Sequence, residues 1–69
     1  MGKNEAMREA RHRKRMSQQQ LADALGVSRQ TIIAIESGDY NPTIRLCIGI
    51  CKKLGVTLND LFWEEGGRL

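Results

Sequence analysis

No apolar run in this sequence approaches the ~18 residues that a membrane-spanning helix requires. Nor does the chain open with a charged-then-apolar segment closed by small residues, so no secretory leader is expected and the expected location is the cytoplasm. Cysteine is scarce. Cys47 and Cys51 stand four apart in an apolar stretch, without a second cysteine pair or a nearby histidine to complete a metal site. On one helical turn their side chains run parallel, a poor geometry for a disulfide, and the pair reads as small core residues. The lone His12 sits inside a basic run and reads as solvated. There are no paired carboxylates, no Ser/His/Asp set and no glycine-rich phosphate loop, and so small a chain has little room for an enclosed pocket. Neither an enzyme nor a cofactor or metal site is expected.

What is present is the composition of a soluble globular domain, 41% hydrophobic and 28% charged, unlike that of a disordered tail. Sixty-nine residues allow one domain over residues 1–69, with an ordered core over about 4–64 and a short tail, "EEGGRL". The net charge is +3, but Arg8, Arg11, Arg13, Lys14 and Arg15 crowd the N-terminal third. A charge run is commonly a solvated face. A local basic patch on a small domain is also the electrostatic footprint of a nucleic-acid binder, and composition alone leaves both readings open.

Glycine, proline and capping residues divide the chain into five helical phrases, an all-α bundle. The first runs from about Asn4 to Lys14, with Met7, Ala10 and the stem of Lys14 on its inner side. Ser17 with Gln20 forms a capping box for a second helix that carries Leu21, Ala22 and Leu25 inward and stops at Gly26. Ser28 caps a third. At 100° per residue, Ile32, Ile35 and Glu36 fall on one side of it and Arg29, Gln30, Ile33 and Ala34 on the other. Ser37-Gly38-Asp39 ends this helix and Asn41-Pro42-Thr43 leads into a fourth, with Leu46, Cys47, Ile50, Cys51 and Leu54 inward. Ile44 and Ile48 widen the apolar stripe of that helix beyond one neighbour, which predicts a central place for it. Gly49 in its middle costs ~1 kcal/mol against alanine, with close backbone approach as its one evident reason. Thr57 with Asp60 caps a last short helix bearing Leu58, Leu61, Phe62 and Trp63.

Helix, a three-residue turn with glycine, then helix is the signature of a helix-turn-helix, although periodicity equally permits a plain bundle that binds protein. The residues go further. "MSQQQLADALGVSRQTIIAIESGDYNPT", followed by "KKLGVTLNDLF", closely resembles the Xre-like, phage repressor and Cro helix-turn-helix family from about Met7 to Trp63. The recurrent family pattern is S-Q-x-x-L-A…L-G-V-S-x-x-x-I…I-E-x-G.

The resemblance implies a compact five-helix bundle of the lambda-repressor-like type, with the helix-turn-helix at helices 2 and 3. It implies a sequence-specific transcriptional regulator, most simply a repressor, that binds double-stranded DNA as a homodimer on an inverted repeat. Gln18 then meets the DNA backbone, Arg29 and Gln30 match base-reading positions, and Ile33 and Ala34 match groove-facing positions that are often polar in relatives. Ser28, Thr31, Tyr40, Asn41 and Thr43 match positions beside phosphate, although Asn41-Pro42-Thr43 also reads simply as a helix-starting turn. Arg29 is open to a base contact, a phosphate contact or plain solvation. Arg11 and Glu36 match an ion pair of relatives. Leu58, Leu61 and Trp63 are the expected dimer contact. Two departures stand out: Arg15 occupies a position where relatives commonly carry glycine, and Ala10 one where they carry leucine. No sensor segment is expected, so regulation would fall to concentration, operator layout or a protein partner. The rival reading is an antitoxin-like or accessory protein-interaction module on the same fold.

Overall fold

Each helix begins on a side chain that accepts a hydrogen bond from its own first turn. The structure is a computed structural model that describes residues 4–62, so Trp63 and the tail, with the last of the expected ordered core, lie outside the described residues. The elements are α1 (Glu5–Arg13), α2 (Gln18–Leu25), α3 (Arg29–Ser37), α4 (Ile44–Leu54) and α5 (Leu58–Leu61). Asn4, Ser17, Ser28, Thr43 and Thr57 accept from the backbone N–H groups of Met7, Gln20, Thr31, Leu46 and Asp60. A cap of this kind is worth about 1 kcal/mol, a large share of what so short a helix can supply. Ser17 with Gln20, and Thr57 with Asp60, close reciprocal capping boxes. In the second box the N–H of Thr57 and then its hydroxyl hold the Asp60 carboxyl below its ordinary pKa.

Asn4 does more than cap. Its backbone N–H donates to the Glu36 carbonyl at 2.8 Å and its Nδ2 donates to the Leu61 carbonyl at 2.9 Å, so one residue ties α1 to the ends of α3 and α5. α2 stops at Gly26, at φ 73°, where the Val27 N–H returns to the Ala22 carbonyl at 3.0 Å. Between α1 and α2 the chain makes its turn at Arg15, which holds φ 57°, a left-handed conformation in which a β-carbon is crowded. The turn expected of glycine is thus kept, with arginine in it.

Met7, Leu21, Ile32 and Ile50, one from each of α1 to α4, are fully buried at the centre. Each such side chain contributes about 1.5–3 kcal/mol by leaving water. Ala10, Ala22, Ile35, Cys51, Leu54 and Leu61 complete the cluster. The helices close a ring around it: α1 packs on α3, α3 on α2, α2 on α4, α4 on α5, and α5 back on α1. No helix is central, which corrects the place expected for α4. Cys47, Ile50, Cys51 and Leu54 are buried, and the stripe runs past them, leaving Ile44 68% and Ile48 41% exposed. Gly49 lies where α4 meets α2: a β-carbon there would stand 3.2 Å from Leu25 Cδ2. Both thiols are pushed above their ordinary pKa, chiefly by burial, and stay protonated at neutral pH as packing groups. Among the described residues no helix is long and apolar enough to cross a membrane.

Candidate nucleic-acid interface

Three elements meet at Glu36. Its carboxylate accepts from Arg11 Nε at 2.8 Å and from Nη2 at 3.3 Å, with the two side chains only 7% and 8% exposed. Arg11 Nη1 also donates to the Met16 carbonyl at 2.9 Å, and Gln18 Nε2 donates to Glu36 Oε1 at 3.2 Å. A forked arginine–carboxylate pair whose other donors also find acceptors can persist away from water. The cluster locks α1 and the first turn of α2 onto the last turn of α3. It also neutralises the single acidic residue of α3, which would otherwise repel an anionic partner.

The opposite face of α3 is bare. Arg29 and Gln30 are exposed in its first turn, Ile33 is 36% exposed one turn on, and Ala34 is half-buried beside it. Ile32 and Ile35, on the inner face, are 0% and 3% exposed and anchor the helix. The local reason is the amphipathic period itself: positions 32, 35 and 36 share one side, and 29, 30 and 33 point away. No hydrogen bond or ion pair engages the side chains of Arg29 or Gln30 among the described residues. Two free amide or guanidinium planes at the start of a helix, with no carboxylate on its outer face, suit recognition of base edges or phosphates.

Around that face the remaining candidates divide. Ser28 Oγ accepts from the Thr31 N–H at 3.2 Å and shares a 3.0 Å hydrogen bond with the Thr31 hydroxyl, so both serve the cap of α3. Thr43 caps α4 at 3.1 Å, while Tyr40 and Asn41 are exposed on the loop before it. Gln18 is half-buried and spends one amide hydrogen on Glu36, leaving the rest of its carboxamide available. Leu61 belongs to the core and Leu58 packs half-buried against it, so most of the apolar surface expected for a second copy is spent within the chain; Trp63 lies outside the described residues.

The basic run is shared out rather than gathered into one patch. Arg8 lies 3.7 Å from Glu5, Arg11 is buried, and the charge of Arg13 acts on Asp60. Lys14 Cε and Nζ come within 3.4 Å of where a side chain at Gly55 would begin, placing an ammonium at the negative end of α4. Arg45 is an exposed cation at the start of α4. It lies two residues after the Thr43 cap, where the helix dipole disfavours positive charge, and that mismatch is a signal legible in the sequence.

Two serine-capped helices, joined by the three residues Gly26-Val27-Ser28 and tied through Glu36, with the second bare on its outer side, constitute a helix-turn-helix. The chain belongs to the helix-turn-helix family, whose model matches residues 7–61, and with its relatives to DNA-binding, non-enzymatic transcriptional regulators. It is 44% identical over 59 residues to the uncharacterized HTH-type transcriptional regulator YgzD of Bacillus subtilis, covering 86% of this chain and 89% of that one. An uncharacterized HTH-type transcriptional regulator of Methanocaldococcus jannaschii is 53% identical over 50 residues, covering 72% and 76%. Among solved structures, the restriction-modification controller protein C.AhdI from Aeromonas hydrophila superposes with a TM-score of 0.77 at 27% identity, over 86% of each chain.

Proposed function

We propose that this chain is a sequence-specific repressor that binds an inverted-repeat operator as a homodimer, placing α3 in the major groove. The observation that carries this reading is the outer face of α3, where Arg29 and Gln30 stand exposed and unengaged among the described residues while Ile32 and Ile35 fix the helix from behind. A groove about 12 Å wide admits one helix and requires a second to brace it across the backbone, which is the part α2 plays. Arg29 and Gln30 read base edges. Gln18, Ser28, Thr31, Tyr40, Asn41, Thr43 and Arg45 set its register against phosphates, by direct contact or by shaping the caps of α3 and α4.

One recognition helix reads only a few base pairs, so a second copy supplies the rest of the site. The surface for it is the exposed stripe of α4, where Ile44 and Ile48 stay in water while Leu61 and most of Leu58 are taken up by the core. Two subunits occupying a promoter exclude other proteins from it by occupancy alone, which makes repression the simplest outcome. The experiment is selection from a random duplex library followed by mobility shift with competitor DNA. An enriched inverted repeat is the expected result. A library that returns no sequence would move the assignment to a protein-interaction module of the antitoxin or accessory kind.

A further inference from the structure

We infer that Ile33 is a specificity-determining residue, reading the 5-methyl group of a thymine one or two steps from the base read by Arg29; this rests on the DNA-binding reading above. Single exposed apolar side chains are common on protein surfaces and call for no partner. Ile33 differs by its place. Its neighbours Ile32 and Ile35 take the core positions of α3, and Ile33 lies outside the core cluster with 36% of its surface in water. It stands one turn beyond Arg29 on the exposed face of α3, about 6 Å further along the helix axis. Successive bases on one strand are ~3.4 Å apart, so a helix lying in the groove brings Ile33 to the first or second step beyond the base under Arg29.

The chemistry of that turn leaves one ligand. Isoleucine offers neither donor nor acceptor, and Ala34 beside it is half-buried and carries only a methyl group. The second turn of the outer face therefore presents hydrocarbon alone. Among the base edges in the major groove, one group is apolar, the thymine methyl. Cytosine at the same step would leave its amino donor against hydrocarbon, and guanine or adenine would leave N7 unpaired, so Ile33 selects both by contact and by exclusion. A β-branched side chain is held near one rotamer in a helix, so little freedom is lost on contact.

The test replaces each thymine of the selected operator in turn by deoxyuridine, which deletes the methyl group and changes nothing else on the base. One replacement per half-site, within two steps of the guanine under Arg29, is expected to weaken the wild-type protein about fourfold, the worth of one buried methyl-sized group. Ile33→Ala is expected to bind the unmodified operator about fourfold more weakly and to show no further loss on that deoxyuridine duplex. The inference is overturned if no thymine lies within those steps, if no replacement affects the wild type, or if Ile33→Ala keeps the same penalty. Ile33→Ser is expected to lose the same penalty, so a misfolded Ile33→Ala leaves the inference falsifiable. Enrichment of an operator without a methyl effect overturns the role of Ile33 alone, whereas failure to enrich any sequence overturns the DNA-binding reading and this one with it.

Discussion

At residue scale the chain sets charge inside and keeps hydrocarbon and free donors outside, and both choices are open to substitution. Glu36→Ala leaves the Arg11 guanidinium buried with only the Met16 carbonyl for company, and Gln18 without its acceptor. A loss of about 3–5 kcal/mol is expected, read by thermal or denaturant melting, with base preference unchanged in whatever protein remains folded. A variant that melts like the parent and prefers a different sequence would make Glu36 a reading residue. Arg15 stores strain at φ 57°. Arg15→Gly relieves a left-handed β-carbon but enlarges the freedom of the unfolded chain, and a net gain of about 0.5 kcal/mol is expected in the same melt. Arg29 has no such structural duty. Its guanidinium can donate two parallel hydrogen bonds to guanine, so Arg29→Ala should remove about 1–3 kcal/mol of discrimination at one position in competition binding. Equal weakening on every sequence, with a salt slope reduced by about one, would make it a phosphate contact instead.

At the scale of elements, what was legible and what was not divide by distance along the chain. Ser17, Ser28, Thr43 and Thr57 bond within three residues of themselves, so their helix starts could be read from spacing alone. The inner and outer faces of α3 follow from its period in the same way. Contacts between distant residues have no such local trace. Asn4 reaching the Leu61 carbonyl, and Gln18 donating to Glu36, depend on which helix ends up beside which. The same blindness put α4 at the centre, since a wide apolar stripe looks alike whether a neighbour or water covers it. The family resemblance supplied Arg11 with Glu36; spacing could not have. Gly49 is the residue whose reason appeared only with the fold. Its missing side chain leaves room for Leu25, yet Leu25 Cδ2 is the far end of a half-buried side chain lining an open groove with Val27 and Leu46, and it is able to yield. Gly49→Ala then gains helix propensity at small cost in packing, and a rise in melting temperature worth about 0.5 kcal/mol is expected. A fall would mean that Leu25 is held in place and that the α2–α4 contact, not the helix, sets the residue.

For the whole molecule the question is how one helix-turn-helix unit of 69 residues obtains enough sequence information to find one site. A single α3 reads a few base pairs, which occur many times over in any genome, and specificity grows as matched positions are added at roughly 1–3 kcal/mol each. Enlarging the protein is one solution. Doubling it is the other, and a two-fold axis doubles the reading without a second design. The surface left over by the ring of helices suits that solution, because Ile44 and Ile48 keep their side chains in water on α4 while the outer face of α3 remains free for DNA. Each half-site would then lie one helical turn from its partner, about 34 Å centre to centre, with the axis between them. Sedimentation is expected to give a dimer on the operator, and Ile44→Asp with Ile48→Asp is expected to give a monomer that melts normally, binds a half-site as before and loses the cooperative gain of the full repeat. Both replaced side chains are exposed, so a change in melting is not the expected readout. A wild-type monomer both free at tens of micromolar and on DNA would remove the carrier of the symmetry, and the operator would then have to be read by α3 and its flanking loop alone.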